Sequence, residues 1–396
     1  MPPEKLLRKQ TEASKPGGMR NGLMNHGNRG KQIGPALLFA VLALFCLAWP
    51  AAGQTIRDLP PPPPAPTPRP TPTPAPKDED FEVIKVNSNL VMVPVSVVDA
   101  QGQPIHGLQV NDFRIEEEGR AQQIVEIGNP DQVPLDIAIL FDVSSSVSQK
   151  GFFLFQQKAA ASFLKQVLKP MDRAAVFTIT DQATLVAPLA SADAAAAKLL
   201  TIPAATSPVP TAFYDTVIAA AKYLTDKSSE HHRRVILVIS DGDDNYSNIV
   251  RDLTVAEVRA SQRGEVTSAA AYQNLLERRR RAVVEVQRAV QHADAAFYSI
   301  NPGGSSVHLN QISTRAQDAM ELIATSTGGT AFVPDSEKDL ERVFGEVAAE
   351  LRGQYLLQYY SNSQVPGAQF RRIVVALPTH PELRIRARQG YYPKGK

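Results

Sequence analysis

Residues 135–146 read LDIAILFDVSSS, and residues 235–242 read VILVISDG. Within them, Ile137–Phe141 and Val235–Ile239 are apolar without alternation. A strand that is apolar on both faces belongs to a parallel sheet covered by helices on both sides. Each run leads to an aspartate, Asp142 in the first and Asp241 in the second. Helical patterns stand between and after these runs. Phe152, Phe155, Ala159, Phe163 and Val167 recur at helical spacing. Ala212–Leu224 reads as a second helix. Leu340, Val343, Phe344, Val347 and Leu351 mark a third, with Ser336 as its N-cap. Ala174–Thr180, Ala295–Ile300 and Thr330–Val333 supply further short strands. The expected fold class is α/β, a doubly wound and mostly parallel sheet over residues 135–353.

The sequence on either side follows a different period. Leu383, Ile385 and Ala387 alternate with Arg384, Arg386 and Arg388, which gives one dry face and one wet face. Tyr355, Leu357 and Tyr359 mark another strand, and Phe370–Leu377 a third. Before the α/β segment, Leu90–Val98, Phe113–Ile115 and Ile124–Ile127 read the same way. Six strands at this spacing suggest an antiparallel β-sandwich. Its halves are residues 81–134 and 354–396, with the α/β domain inserted between them, an arrangement favoured by domain ends that lie close together. A charged helical stretch, about 251–290, follows Asp241 and contains Arg278–Arg281. It reads as an exposed helix, with a lid over the Asp241 edge as the alternative. His231 and His232 precede Arg233 and Arg234 and read as solvated surface.

In an open α/β sheet, ligands bind at the carboxyl ends of the strands. Asp142, Ser144 and Ser146 stand there in D-x-S-x-S spacing, Asp241 ends the second buried strand, and Thr211 sits just before the helix at Ala212. Two carboxylates and three hydroxyls, without sulfur or imidazole, form a donor set for a hard divalent cation. A serine-rich helix cap is the competing reading of residues 142–146. The run Asp241-Gly242-Asp243-Asp244-Asn245 also invites a calcium-loop reading with Asp252 in twelfth place, but Tyr246 stands where that loop needs glycine. Asp243 and Asp244 are therefore read as accessory negative charge beside the main site.

D-x-S-x-S, a downstream threonine opening a helix and a later aspartate at a strand end resemble the metal-ion-dependent adhesion site (MIDAS) of von Willebrand factor type A (VWFA) domains. NLVMVPVSVVDAQGQPIHGLQVNDFRI, TAFYDTVIAAA, VILVISDGDDN, TSTGGTAFVP and ELRGQYLLQYY together resemble the secreted VWFA-related proteins of acidobacteria, over about residues 84–393. The resemblance implies that Ser144 and Ser146 touch the metal through their hydroxyls. It implies that Asp142 and Asp241 balance the charge, at least partly through water, and that Thr211 joins when a ligand is bound. The implied ion is Mg2+, with Mn2+ and Ca2+ as alternatives. One coordination position is left for an Asp or Glu carboxylate from a protein partner. The chain departs from the family at Pro210, which stands where glycine usually precedes the threonine. Proline fixes φ and has no N–H, so this loop cannot copy a glycine conformation.

The remaining sequence bounds the setting. Of the net charge of +2, the first 53 residues contribute +5, from seven Lys/Arg and two Glu, leaving −3 for the rest. A near-neutral body argues against nucleic-acid binding. The single cysteine, Cys46, lies inside the apolar run of residues 36–49, so disulfides and thiolate sites are excluded elsewhere. That run follows Arg29 and Lys31 and precedes Pro50-Ala51-Ala52-Gly53. It reads as a secretory signal over residues 1–53, with a retained membrane anchor as the alternative. Proline alternates with Ala, Thr and Arg through residues 60–76, so residues 54–80 form an extended linker. The expectation is an exported, non-enzymatic, adhesion-type binding module in the periplasm, at the cell surface or secreted. A metal-independent scaffold of the cell envelope is the alternative. A hydrolase is disfavoured, because Ser144 lacks both a Gly-x-Ser-x-Gly elbow and a histidine partner.

Overall fold

A computed structural model describes residues 90–144, 153–302, 311–334, 339–363 and 369–393. The signal and linker segments, Ser146 and the expected cap Ser336 lie outside the described residues. The first half of the sandwich supplies β1 (Leu90–Val98), β2 (Arg114–Glu117), β3 (Arg120–Gln122) and β4 (Ile124–Gly128). The α/β segment then runs β5 (Leu135–Asp142), α1 (Phe153–Val167), β6 (Arg173–Ile179), β7 (Ala183–Ala190), α2 (Ala192–Leu199), α3 (Phe213–Lys227) and β8 (Arg233–Ile239). It continues with α4 (Asn248–Arg251), α5 (Val255–Gln262), α6 (Ser268–His292), β9 (Ala295–Ile300), α7 (Gln311–Thr327), β10 (Ala331–Phe332) and α8 (Leu340–Gly353). The second half of the sandwich adds β11 (Tyr355–Tyr360), β12 (Arg371–Ala376), β13 (Arg384–Ala387) and β14 (Gly390–Tyr391).

The central sheet has the order β10-β9-β8-β5-β6-β7. All neighbours are parallel except β7, which pairs antiparallel with β6. β5 is buried at every position, as its unbroken apolar run requires. Its two faces feed two cores. Ile137, Ile139 and Phe141 pack with α1, α2 and α8, while Ala138 and Leu140 pack with α3, α6 and α7. The sheet is therefore covered on both sides, as expected for a doubly wound fold.

The flanking segments form two four-stranded sheets, ordered β13-β1-β11-β4 and β14-β12-β2-β3. Each combines strands from both halves. β1 pairs antiparallel with β11 and β13, and β12 pairs antiparallel with β2. Val93, Val95, Ile115, Leu357 and Tyr359 fill the core between the sheets.

The sandwich and the α/β segment meet at several points. Gln389 donates its backbone N–H to the Ser326 carbonyl at 3.1 Å. Arg386 lies 3.4 Å from the buried Glu350 of α8. Gly328 has φ +83°, and a Cβ there would come within 2.7 Å of the Arg388 nitrogen. Gly329 is tighter, because its Cβ would stand 2.0 Å from the Phe297 carbonyl oxygen. The pair Gly-Gly thus lets the chain turn between α7 and β10 against two backbones at once. Gly329→Ala is expected to destabilise the protein by about 1–3 kcal/mol, because the Phe297 backbone cannot yield cheaply. Urea unfolding of the two proteins measures this.

The histidines lie in the turn before β8, where the His232 N–H donates to the Ser229 carbonyl at 3.2 Å, and they divide. His231 is exposed. His232, contrary to the surface reading, turns inward and places Nδ1 3.0 Å from the buried carboxylate of Asp136. Asp136 also accepts two hydrogen bonds from Arg173, at 2.9 and 2.7 Å.

Candidate metal site

Strand register brings the two strand-end aspartates to one edge. Phe141 pairs with Ile239, so Asp142 is level with Ser240 and one residue from Asp241. Asp142 is fully buried. One carboxylate oxygen, Oδ1, accepts the Ser144 backbone N–H at 2.7 Å. The other, Oδ2, accepts the Ser240 hydroxyl at 2.5 Å. Ser240 is fixed in turn, since its Oγ accepts the Gly242 N–H at 3.0 Å. Burial, and then the charge of Asp241, push the Asp142 carboxyl up to about 7, against the pull of its hydrogen bonds. Asp243 is also raised, by burial first and by Asp241 second. The charge of Asp241 thus opposes the ionisation of both Asp142 and Asp243.

Thr211 reaches the same edge in spite of Pro210. Its N–H donates to Asn245 Oδ1 at 2.9 Å. Its carbonyl accepts the N–H groups of Asn245 and Tyr246, at 3.1 and 3.0 Å. The next residue, Ala212, donates to the Thr180 carbonyl at 2.7 Å. The threonine is therefore held by the loop that follows β8, and no glycine conformation is needed. Asn245 and Ser240 are positioning residues that the sequence reading passed over. Both sit beside Asp241 in sequence, but their partners lie 34 and 98 residues away, which no local pattern reports.

Asp244 has another role. Its Oδ1 accepts the N–H groups of Tyr246 and Ser247, at 3.2 and 3.0 Å. Its Oδ2 accepts the Tyr214 N–H at 2.8 Å and the Ser247 hydroxyl at 2.5 Å. Tyr214 is in the first turn of α3, where backbone N–H groups lack helical partners. Asp244 thus caps α3 from a distant loop, and its oxygens are committed to that task. Asp215 reciprocates by accepting the Asn248 N–H at 2.8 Å. The accessory pair therefore divides: Asp243 adds charge beside Asp241, whereas Asp244 holds the loop to the helix.

The charged insertion is rooted in this loop. Arg279 donates to the Asp244 carbonyl at 3.1 Å, and Arg278 donates to the Val250 carbonyl at 2.8 Å. Arg278 also pairs with Glu257, whose backbone N–H donates to the N-cap hydroxyl of Thr254. Helix α6 buries Ala282, Val286 and Val290 at helical spacing, while α5 buries nothing.

Among the described residues, no group of three His, Cys, Asp or Glu side chains is placed to hold an ion. A cation at this edge would therefore need hydroxyl donors as well as Asp142 and Asp241. Ser144 and Thr211 supply them, and Ser146 would add a third. The set is hard, oxygen-only and short of positive charge, which fits a small divalent cation.

The sequence profile of the von Willebrand factor type A domain matches residues 136–345, more than half of the chain. The chain belongs to this family. Comparison with curated proteins gives no match. Among solved structures, this VWFA protein is similar to an aerotolerance-related membrane protein from Bacteroides fragilis, with 17% identity, 54% of this chain and 98% of that chain covered, and a TM-score of 0.36. It is similar to the vWF domain of the type V pili tip protein Mfa5 from Porphyromonas gingivalis, with 14% identity, 55% and 94% covered, and a TM-score of 0.40. It is also similar to proximal thread matrix protein 1 from the mussel byssus, whose structure has a zinc-occupied MIDAS motif. There the identity is 15%, 58% of this chain and 48% of that chain are covered, and the TM-score is 0.36.

Two substitutions separate the roles of the acidic residues. Asp244→Ala should cost about 1–3 kcal/mol by orphaning buried donors, equally in Mg2+ and in EDTA. Asp142→Asn should raise Tm in EDTA, because it removes a buried charge held next to Asp241. Chemical and thermal unfolding in the two buffers tests both outcomes.

Proposed function

We propose that this VWFA protein is an exported, adhesion-type binding module whose carboxyl-edge site holds a divalent cation. Asp142, Ser144, Ser146, Thr211 and Asp241 would hold the ion, with Mg2+ the first choice and Mn2+ or Ca2+ the alternatives. The observation that carries the reading is Asp142, a fully buried carboxylate with the charge of Asp241 beside it and hydroxyl donors around it. When bound, the ion supplies a Lewis-acidic point of attachment for an oxygen ligand. The protein's own residues do the rest. Ser240 and the Ser144 N–H orient the Asp142 carboxylate. Asn245 and the Thr180 carbonyl set Thr211 and the start of α3. Burial excludes water from Asp142, which strengthens any charge interaction there.

The partner we infer is a protein that offers an Asp or Glu carboxylate. The near-neutral body supports a protein partner over nucleic acid. Among the described residues, no helix is long and apolar enough to cross a membrane. Membrane attachment would therefore rest on the N-terminal segment. Binding without turnover, rather than hydrolysis, is the reading supported by the D-x-S-x-S spacing around Ser144, which lacks the Gly-x-Ser-x-Gly elbow of a nucleophile.

A cation that binds only the folded state stabilises it, by about 2.7 kcal/mol at a hundredfold excess over Kd. Thermal unfolding of wild type should therefore shift upward with Mg2+, Mn2+ or Ca2+, and that of Asp142→Ala should not. Absence of any shift in wild type at millimolar metal would sink the metal reading. A shift kept by Asp142→Ala would move the ion elsewhere, first to the Asp241–Asp252 loop. Partner capture that survives EDTA would favour the metal-independent scaffold.

A further inference from the structure

A cavity of about 450 Å3 lies between the sandwich and the amino ends of β8 and β9. It is remote from the candidate metal site. Arg234 is at its wall and Asp241 is beyond the far end of β8, a span of about 20 Å along an extended strand. Pockets of this size at domain junctions are the usual places for small ligands. Nothing in the metal-site reading uses it.

The lining combines two chemistries. One wall is the outer face of β1, where Leu90, Met92 and Pro94 replace the polar residues that a solvated strand face would carry. Tyr391 and Tyr392 add aromatic surface. The rest is cationic: four arginines and two histidines line the cavity against Glu230 and Asp294. Arg388 pairs with Asp294, and Arg371 with Glu117 behind the wall. Arg233 and Arg234 bond to carbonyls instead, Arg233 to those of Leu351 and Pro130, at 2.8 and 3.1 Å. Arg234 lies at the amino ends of the strands. It is buried and donates to the carbonyls of Ala293 and Ser228, at 2.8 and 3.0 Å. Among the described residues it has no carboxylate within ion-pair distance; helix-end carbonyls and the more distant charges of Glu230 and Asp136 act on it instead. Burial works against the charged forms of both Arg234 and Arg388, the latter brought down to about 10.

We infer that this cavity is a second binding site, for a small organic anion with an apolar body, such as an aryl or alkyl carboxylate. The apolar β1 face takes the body, and Arg233 and Arg234 on the opposite wall, which hold carbonyls rather than carboxylates at ion-pair distance among the described residues, take the anionic group. A cationic or neutral ligand of the same shape gains only the first contact. The site is independent of the metal site and of what that site captures.

The test uses the whole protein and three matched probes: 4-phenylbutyrate, 4-phenylbutanol and 4-phenylbutylamine, at constant ionic strength in EDTA. Phenylbutyrate should raise Tm saturably, the alcohol less, and the amine not at all. Gln291→Glu adds a negative charge to the lining on the surface of α6 and should weaken phenylbutyrate by about tenfold. Met92→Trp, on the outward face of β1, should abolish the shift by filling the cavity. Asp142→Ala should leave it intact. Either variant counts only if its circular dichroism and unliganded Tm match wild type, and the two act through different walls. Equal shifts from the amine and the carboxylate, no shift from any probe, or an unaltered phenylbutyrate shift in a folded variant would each overturn the proposal.

Discussion

The carboxyl edge of the central sheet is organised around a carboxylate that water cannot reach. Asp142 ends a strand buried on both faces, so its position follows from the apolar run that precedes it. The Ser240 hydroxyl and the Ser144 N–H face its oxygens. Those bonds orient the group but do not cancel the repulsion from Asp241. Much of the surrounding loop structure serves to keep these charges in place. Asp244 ties the β8 loop to α3, Asn245 ties it to Thr211, and the insertion is tied to it through Arg279. A polar edge built this rigidly around neighbouring carboxylates is what the proposed cation site requires.

The amino edge of the same strands has the opposite character. Arg173 and His232 surround Asp136, Arg234 gathers the carbonyl ends of α3 and α6, and Arg388 reaches across from the sandwich to Asp294. Here guanidinium groups replace carboxylates as the joining element. Arg173 and Arg388 pair with carboxylates, whereas Arg234 bonds to carbonyls that helix ends leave without partners. The sandwich is thereby fastened to the end of the sheet that does not carry the candidate metal site, and the carboxyl edge stays clear of it.

The sequence made the α/β architecture legible, because Ile137–Phe141 and Val235–Ile239 have no alternation and only a doubly covered sheet accepts such runs. The sandwich was legible from the opposite pattern in Leu383–Arg388. β7 and α2 escaped notice. β7 is a half-exposed edge strand without a clean period, and α2 is mostly alanine, which marks no face strongly. For the site, the strand-end aspartates and Thr211 were visible as motif positions. Their supports were not. Ser240, Asn245 and the capping role of Asp244 depend on contacts between segments 30 or more residues apart. Pro210 looked like an obstacle from its φ restriction alone. The loop meets it by holding Thr211 through Asn245 rather than through a flexible glycine. His232 was misread for the same reason, since its partner Asp136 lies 96 residues earlier.

The pairing of β1 with β11 also has a mechanical consequence. Leu90 pairs with Tyr360, and Val95 with Tyr355, where the chain leaves α8. The segment preceding Leu90 and the exit from the α/β unit therefore pull on opposite ends of one antiparallel ladder. Tension applied between Leu90 and the α/β unit would slide β1 along β11 rather than peel it away. In that geometry the hydrogen bonds share the load and must fail together, whereas peeling breaks them one at a time. β13 grips the other edge of β1 and adds to the resistance.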